Sequence, residues 1–538
     1  LPVYRAVKGI PAKSFREMMQ QALEQVDDCC PETLPNDLRI RHQLCELNFA
    51  IRQAHFPLNV ENLRLARRRL AFEQMLMYQA ALGLLRGHKA DGTALPIPPD
   101  APEKFWQTLP FPPTGAQKRV LEEIAADLRC DRAMSRLVQG DVGSGKTMVA
   151  AAAIYMAAKN GLQCALMAPT EILAEQHYRS LAPLLEPLGI PCALLTASTK
   201  ARERRALNER LRSGELSLVI GTHALLSPDV QYQNLGLVVT DEQHRFGVDQ
   251  RAALSAKGDD PHLLVMSATP IPRTLALMIY GDLDVSILNE LPPGRQKIDT
   301  FAVPSSYHER IYAFLRKLVA EGRQAYIVCP MVSENDELPD ERKAVTAYAE
   351  MLQKEVFPDL RIAPIHGKMK PKEKDAVMRA FAAHEIDGLV STTVIEVGVD
   401  VPNAALMLIE NAECFGLSQL HQLRGRVGRG RPKSYCVLVS DNKGEENKQR
   451  LKVMSSTSDG FAIAEEDLKL RGPGDFFGSR QHGLPSLRVA DLSCDLSLLH
   501  ETQSAAEQLL AADPALKNHP LLKARVELLF ELNADAMN

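Results

Sequence analysis

The segment Gly140-Asp141-Val142-Gly143-Ser144-Gly145-Lys146-Thr147 constrains the fold more than any other stretch of the chain. Its glycines open backbone angles closed to other residues, so successive N–H groups can curl inward around an anion. The apolar pair Leu137 and Val138 within Ser135–Gln139 predicts a short buried strand before it. The alanine-rich run Met148–Ala158 predicts a helix after it. In that order the positive end of the helix supplements the loop's N–H groups. The spacing Gly-x-x-x-x-Gly-Lys-Thr then specifies the anion as the phosphates of a nucleoside triphosphate. Gly140, Asp141, Val142, Gly143, Ser144 and Gly145 form the cradle. Lys146 is expected at the β and γ phosphates, and Thr147 with its hydroxyl on Mg²⁺. ATP and Mg²⁺ are the cofactors this implies.

The 538 residues are long enough for three or four domains. Residues 1–104 read as helical: Ser14–Val26, Asp37–Ala54 and, most clearly, Asn59–Leu85. The last holds Arg64, Arg67, Arg68 and Arg69, expected to face water, and the proline-rich Gly92–Lys104 reads as a linker. Between 105 and 290 short apolar runs alternate with helical patterns. Strands are expected at Gln163–Met167, Leu216–Ile220, Leu235–Thr240 and Leu263–Ser267, with helices such as Glu171–Leu184 and Ala201–Arg212 between. A second alternating region, 291–450, has expected strands Gln324–Cys329, Ile362–Ile365, Gly388–Ser391, Ala405–Ile409 and Tyr435–Val439 and no phosphate loop. Alternation of this kind makes α/β domains with parallel sheets and ligands at the strand ends. Residues 451–538 are helical apart from a loop around Gly472–Gly483.

Bulk charge says little: the formal net charge is −4, and a groove can be locally basic in an acidic protein. No stretch reads as a signal peptide or membrane span, which places the chain in a cytoplasm. The ten cysteines are scattered with no Cys-x-x-Cys pair, as expected of reduced thiols without a zinc site.

Asp241-Glu242-Gln243-His244 follows the apolar run ending at Thr240. Asp241, at a strand end, suits Mg²⁺, and Glu242 suits the preparation of an attacking water. Ser267-Ala268-Thr269 offers two hydroxyls to that carboxylate or to His244. In the second region Gln422-x-x-Gly425-Arg426-x-Gly428-Arg429 presents two permanently charged planar forks suited to phosphate oxygens, so Arg426 and Arg429 are candidate arginine fingers. Thr392 and Thr393 suit a nucleic-acid backbone, and Glu396 and Asp400 an interdomain or ribose contact. Phe111 and Gln117, upstream of the loop, could hold adenine by stacking and by its polar edge.

In order, the phosphate loop, Ala168-Pro169-Thr170-Glu171, Gly221-Thr222-His223, Asp-Glu-Gln-His, Ser-Ala-Thr, the threonine stretch and Gln-x-x-Gly-Arg-x-Gly-Arg resemble superfamily 2 helicases and translocases. Leu109–Gln117, Gln139–Thr147 and Asp241–Val248 most resemble the bacterial ATP-dependent DNA helicase RecG family. The resemblance implies two recA-like lobes with ATP in their cleft, candidate backbone grips at Thr222, His223, Thr392 and Thr393, and a nucleic-acid or coupling role for Thr170. It also implies a coupling hairpin over Glu465–Gly483 in which Arg471 is the first candidate. The expected activity is DNA-dependent ATP hydrolysis driving branch migration and fork reversal by a cytoplasmic, nucleoid-associated monomer, with branched DNA and single-strand-binding protein as partners. Leu1–Ile10 resembles the exit from the family's wedge domain. The wedge itself is therefore expected to be absent, with weak fork reversal as the consequence. A transcription-repair coupling translocase shares many of these motifs. Asp-Glu-Gln-His and the coupling hairpin argue against an RNA helicase, and intact Lys146, Asp241, Glu242, Arg426 and Arg429 argue against a catalytically silent ATP-gated DNA-binding scaffold.

Overall fold

A computed structural model describes residues 2, 4, 11–25, 30–87, 94–241, 248–268, 283–292, 296–330, 341–392, 401–430, 433–471 and 496–537. The chain divides into two units. One comprises Leu1–Lys89, Thr274–Asp282 and Leu468–Asn538, the other Ala90–Arg273 and Leu283–Asp467.

The smaller unit is helical. The helix Val60–Gly87 packs against Leu47–His55, Leu496–Ala512 and Pro520–Met537. Ala80, Ala81, Leu509, Leu522 and Val526 close one apolar seam. Gly83 marks the crossing point, since a Cβ there would lie 2.3 Å from Leu510 Cδ1. The single helix expected over 37–54 is two, Asn36–Arg41 and Leu47–His55. Gln43 at φ 52° breaks the run and Leu44 N–H closes on the Arg39 carbonyl. The break turns Leu44 and Leu47 inward, both buried. Arg69 does not face water: it is fully buried between Glu73 and Glu32. Exposed Arg68 pairs with Glu501 of the same unit at 3.0 Å.

The larger unit holds two parallel sheets. The first contains β1 (Ser135–Gly140), β2 (Gln163–Met167), β3 (Cys192–Leu195), β4 (Leu218–Gly221), β5 (Leu235–Thr240), β6 (His262–Ser267) and β7 (Asp284–Leu288), in the order β3-β4-β2-β5-β6-β1-β7. Strand residues alternate between its faces. Leu166, Ile220, Val239 and Met266 pack under the helices Gly115–Arg129, Lys146–Lys159 and Glu171–Leu185. Ala165, Val219 and Val238 pack on the opposite side with Leu207 and Leu211 of Ala201–Arg212. A sheet buried on both faces reads in sequence as continuous apolar runs, which is why its five interior strands were legible. The segment expected as a linker joins this core through Leu95, Ile97 and the short helix Ala101–Trp106.

The second sheet contains β8 (Asp299–Val303), β9 (Gln324–Val328), β10 (Ile362–Ile365), β11 (Gly388–Ser391), β12 (Ala404–Ile409) and β13 (Tyr435–Val439), in the order β10-β11-β9-β12-β13-β8. Ile327, Val390, Leu406 and Leu408 anchor its core with Leu315 of the helix His308–Ala320. The α/β class and the paired sheets agree with the sequence reading. Strands β3, β7 and β8 were not anticipated.

Candidate nucleotide site

The phosphate loop has the form its glycines predict. β1 ends at Gly140, where a Cβ would meet Ser144 Oγ at 2.5 Å and Leu288 Cβ at 2.8 Å. Gly143 (φ 77°) and Gly145 (φ 86°) take left-handed angles, and the helix Lys146–Lys159 begins at once. Lys146 is mostly buried and its Nζ donates to the carbonyls of Gly140 and Asp141 at 2.8 and 2.9 Å. Ser144 is buried, and Thr147 lies in the helix's first turn. A concave loop with no room for side chains, backed by a mostly buried lysine, fits a polyphosphate.

Gln117 does not face outward to a base. It is 3 % exposed. Its Nε2 donates to the Ser144 carbonyl at 2.9 Å and its Oε1 accepts from Thr114 N–H at 2.9 Å. The cause is a capping box at the start of Gly115–Arg129, which draws the side chain back over its own helix end. Gln117 thus braces the loop from behind. Phe111 is exposed. The chain leaving β7 joins the brace: Glu290 Oε2 accepts from Ala116 N–H at 3.2 Å, and Arg119 donates to the Ile287 carbonyl and Asn289 Oδ1.

Asp241 follows β5, its N–H bonded to the Met167 carbonyl at 3.0 Å. Its Oδ2 accepts from His177 Nε2 at 2.8 Å. Ser267 pairs in register with Gln139, which brings Ser267 beside the root of the loop. Glu242, Gln243, His244, Thr269, Thr393, Glu396 and Asp400 lie outside the described residues.

The second sheet reaches this site through one helix, Leu417–Arg424. His421 Nε2 lies 2.6 Å from Asp141 Oδ1. The direction of that bond follows from its neighbour: Arg424 Nη2, which can only donate, lies 2.8 Å from His421 Nδ1, so Nε2 carries the proton and Asp141 accepts it. Arg424 also donates Nη1 to the carbonyls of Met454 and Thr457. Burial pulls its guanidinium below the ordinary value against the opposing pull of Cys436 and Asp141. At Gly425 a Cβ would stand 2.9 Å from Val142 Cβ, so glycine lets this turn rest on the phosphate loop. Gln422 and Arg426 are buried immediately beside that contact, and Arg429 Nε approaches the Gly425 carbonyl at 3.5 Å.

Two expected backbone grips are buried in this structure: Thr222 and Thr392 are 1 % and 0 % exposed. Thr222 follows β4 as the N-cap residue of a short 3₁₀ turn, and Thr392 follows directly on β11. His223 is exposed. Thr170 is the N-cap of Glu171–Leu185, its Oγ1 accepting from Leu173 N–H. That helix meets the second lobe where Arg379 donates to Glu175 Oε1 at 2.8 Å. Burial, then Glu171 and Glu175, hold the neighbouring Asp375 carboxyl above its usual range. Arg471 ends the helix Gly460–Arg471, and Asp467 in that helix accepts from Ser418 N–H and Oγ. Sequence reasoning missed His177, His421, Arg424 and Glu290. After β10 the run Lys368, Lys370, Lys372 and Lys374 has its first three members exposed.

Family models match in three consecutive blocks: DEAD/DEAH box helicase over 114–278, helicase conserved C-terminal domain over 309–431, and ATP-dependent DNA helicase RecG, domain 3, C-terminal over 457–531. The ATP-dependent DNA helicase RecG of Bacillus subtilis is 47 % identical over 98 % of this chain and 78 % of its own length. The chain belongs to the RecG family. The third block and this identity separate it from the transcription-repair, RNA-helicase and scaffold alternatives. RecG proteins of Synechocystis and Thermotoga maritima are 49 % and 47 % identical, and the chain spans 64 % and 65 % of their lengths. A solved structure of RecG bound to a three-way DNA junction matches with a TM-score of 0.75 and 45 % identity over 93 % of this chain and 66 % of that one. The two sheets are accordingly recA-like helicase lobes, and the chain is an ATP-hydrolysing DNA helicase by family. Among the described residues no helix is long and apolar enough to cross a membrane, and no cluster of metal-ligating side chains stands apart.

Proposed function

We propose that the chain turns ATP hydrolysis into movement along duplex DNA at branch points, migrating four-way junctions and driving stalled forks backward. The observation that carries this is the seating of Leu417–Gly425 of the second lobe on the phosphate loop of the first, through His421–Asp141 and Gly425–Val142. A lobe that touches the nucleotide loop can be moved by what the loop holds. When bound, the nucleotide supplies the phosphoanhydride bond to be cut and Mg²⁺ neutralises charge on its phosphates. Lys146 and the loop N–H groups hold the phosphates, Thr147 and Asp241 hold the cation, and Glu242 orients water. Arg426 and Arg429, carried beside Gly425, stabilise the charge that develops in the transition state.

DNA contacts of the kind needed here position without reading sequence. His223 and the lysine run Lys368–Lys374 supply them, and Arg471 passes the motion to the C-terminal helices. The reading takes branched DNA as substrate, single-strand-binding protein as a second partner, and a cytoplasmic monomer as the working unit. Family membership and the junction-bound relative support it. The test is the ATPase rate on single-stranded, duplex, three-way and four-way DNA with an RNA control. Strongest stimulation by branched DNA and none by RNA is expected, and equal stimulation by all would overturn the reading.

A further inference from the structure

The carboxylate assigned to the cation is held from behind. The Asp241 backbone is fixed by its bond to Met167, which extends the β2–β5 ladder one residue past the strand. Its side chain is fixed by His177, whose Nε2–H donates to Oδ2 at 2.8 Å with both side chains largely buried. An imidazole N–H on one oxygen sets the plane of the carboxylate, and therefore the direction of the lone pairs on both oxygens. His177 can do this because its own helix is pinned. Thr170 caps the start of Glu171–Leu185, Glu171 Oε1 accepts from Ser198 N–H at 3.2 Å, and Glu175 is clamped by Arg379 of the second lobe. Leu173, Ala174 and Leu181 pack the same helix into the core.

We infer that His177 is a positioning residue for the cation: it sets the orientation in which Asp241 meets the magnesium of Mg–ATP. The inference rests on the reading of Asp241 given above. It has a corollary. The helix that aims Asp241 also carries the Glu175–Arg379 pair, so the approach of the lobes and the aim of the carboxylate share one rigid element. An ordinary core histidine paired with an aspartate would stabilise the fold and nothing more. The two roles separate experimentally, because only positioning is specific to the cation.

The experiment measures binding of a fluorescent ATP analogue to the full chain across a magnesium titration and in excess chelator, for wild type, His177→Ala, His177→Gln and Asp241→Ala. Loss of an outer-shell partner weakens metal affinity by about 10–100-fold. His177→Ala is expected to raise the magnesium midpoint at least about tenfold, with chelator-side binding unchanged. His177→Gln, whose amide can donate from a similar place, is expected to recover most of the shift. An unmoved midpoint in His177→Ala overturns the inference, as does an equal loss with and without magnesium. If His177→Ala lowers the melting temperature, His177→Gln decides: native melting with an unrecovered midpoint also overturns it. A wild-type protein without magnesium-dependent binding, or an Asp241→Ala protein with an unmoved midpoint, overturns the assignment of Asp241 itself.

Discussion

β1 and β8 occupy the same place in two sheets built to one plan. With β8 read as β1, β9 as β2 and so on to β13 as β6, the second order repeats the first without β7. Yet β1 ends in the phosphate loop, whereas β8 ends in Pro304 and the short turn Ser305–Tyr307. β1 is flanked on both sides and its last four residues are buried. β8 is an edge, with Phe301 49 % exposed. Shared topology therefore fixes where a site could be, and one strand-end sequence decides which lobe has it. The second lobe contributes instead through the far end of its chain, at Gly425 and Arg426.

The largest effect that would sharpen this contrast is at Arg426. Arg426→Ala is expected to slow ATP turnover by about 10³–10⁵-fold with nucleotide binding retained, as for other arginines that reach a transferring phosphoryl group. Unchanged turnover would break the claim that the second lobe completes the chemistry. Lys146→Ala should cost about 10²–10³-fold, the usual loss for one preorganised donor, and should weaken nucleotide binding as well. His308→Ala, just beyond the equivalent strand end, should leave both parameters near wild type. A comparable loss there would mean that both lobes handle phosphate.

Stability should follow the same asymmetry. Leu137 in β1 is fully buried, and Leu137→Ala is expected to cost about 2–5 kcal/mol by denaturant unfolding. Phe301→Ser in β8 should stay within about 0.5 kcal/mol. The smallest effect concerns acid. The Arg361 guanidinium and backbone hold the Asp387 carboxyl below the usual carboxylate range, just before β11. In the first lobe the equivalent place is Ser217: the Ser217 carbonyl receives Cys164 N–H as the Asp387 carbonyl receives Ala325 N–H. A depressed carboxylate stabilises above its unfolded pKa, about 3.9, and that contribution is lost as pH falls through the folded value. The second lobe should therefore lose that contribution below about pH 4, and Asp387→Asn should flatten the loss.

Legibility in the sequence tracked burial. The strands read correctly are mostly interior, with continuous apolar runs such as Leu235–Thr240 and Ala405–Ile409. β3, β7 and β8, which were missed, all lie at sheet edges, where half-exposed residues such as Asp284, Val285 and Thr300 blur the pattern. The phosphate loop was legible because its chemistry is local. The burial of Gln117, Thr222 and Thr392 was not legible because a side chain's direction depends on what packs around it. His177 and His421 were invisible for the same reason: each acts on a carboxylate far away in the chain, and neither sits in a pattern of its own.

Arg119 and Glu290 staple the departing chain beside the loop brace, directly after β7. That point lies at one margin of a seven-stranded sheet, about 29 Å from β3 at strand spacings of about 4.8 Å. Over such an arm a turn of about 10° sweeps the opposite margin through about 5 Å. A displacement too small to disturb the nucleotide pocket would thus be magnified at the outer rim.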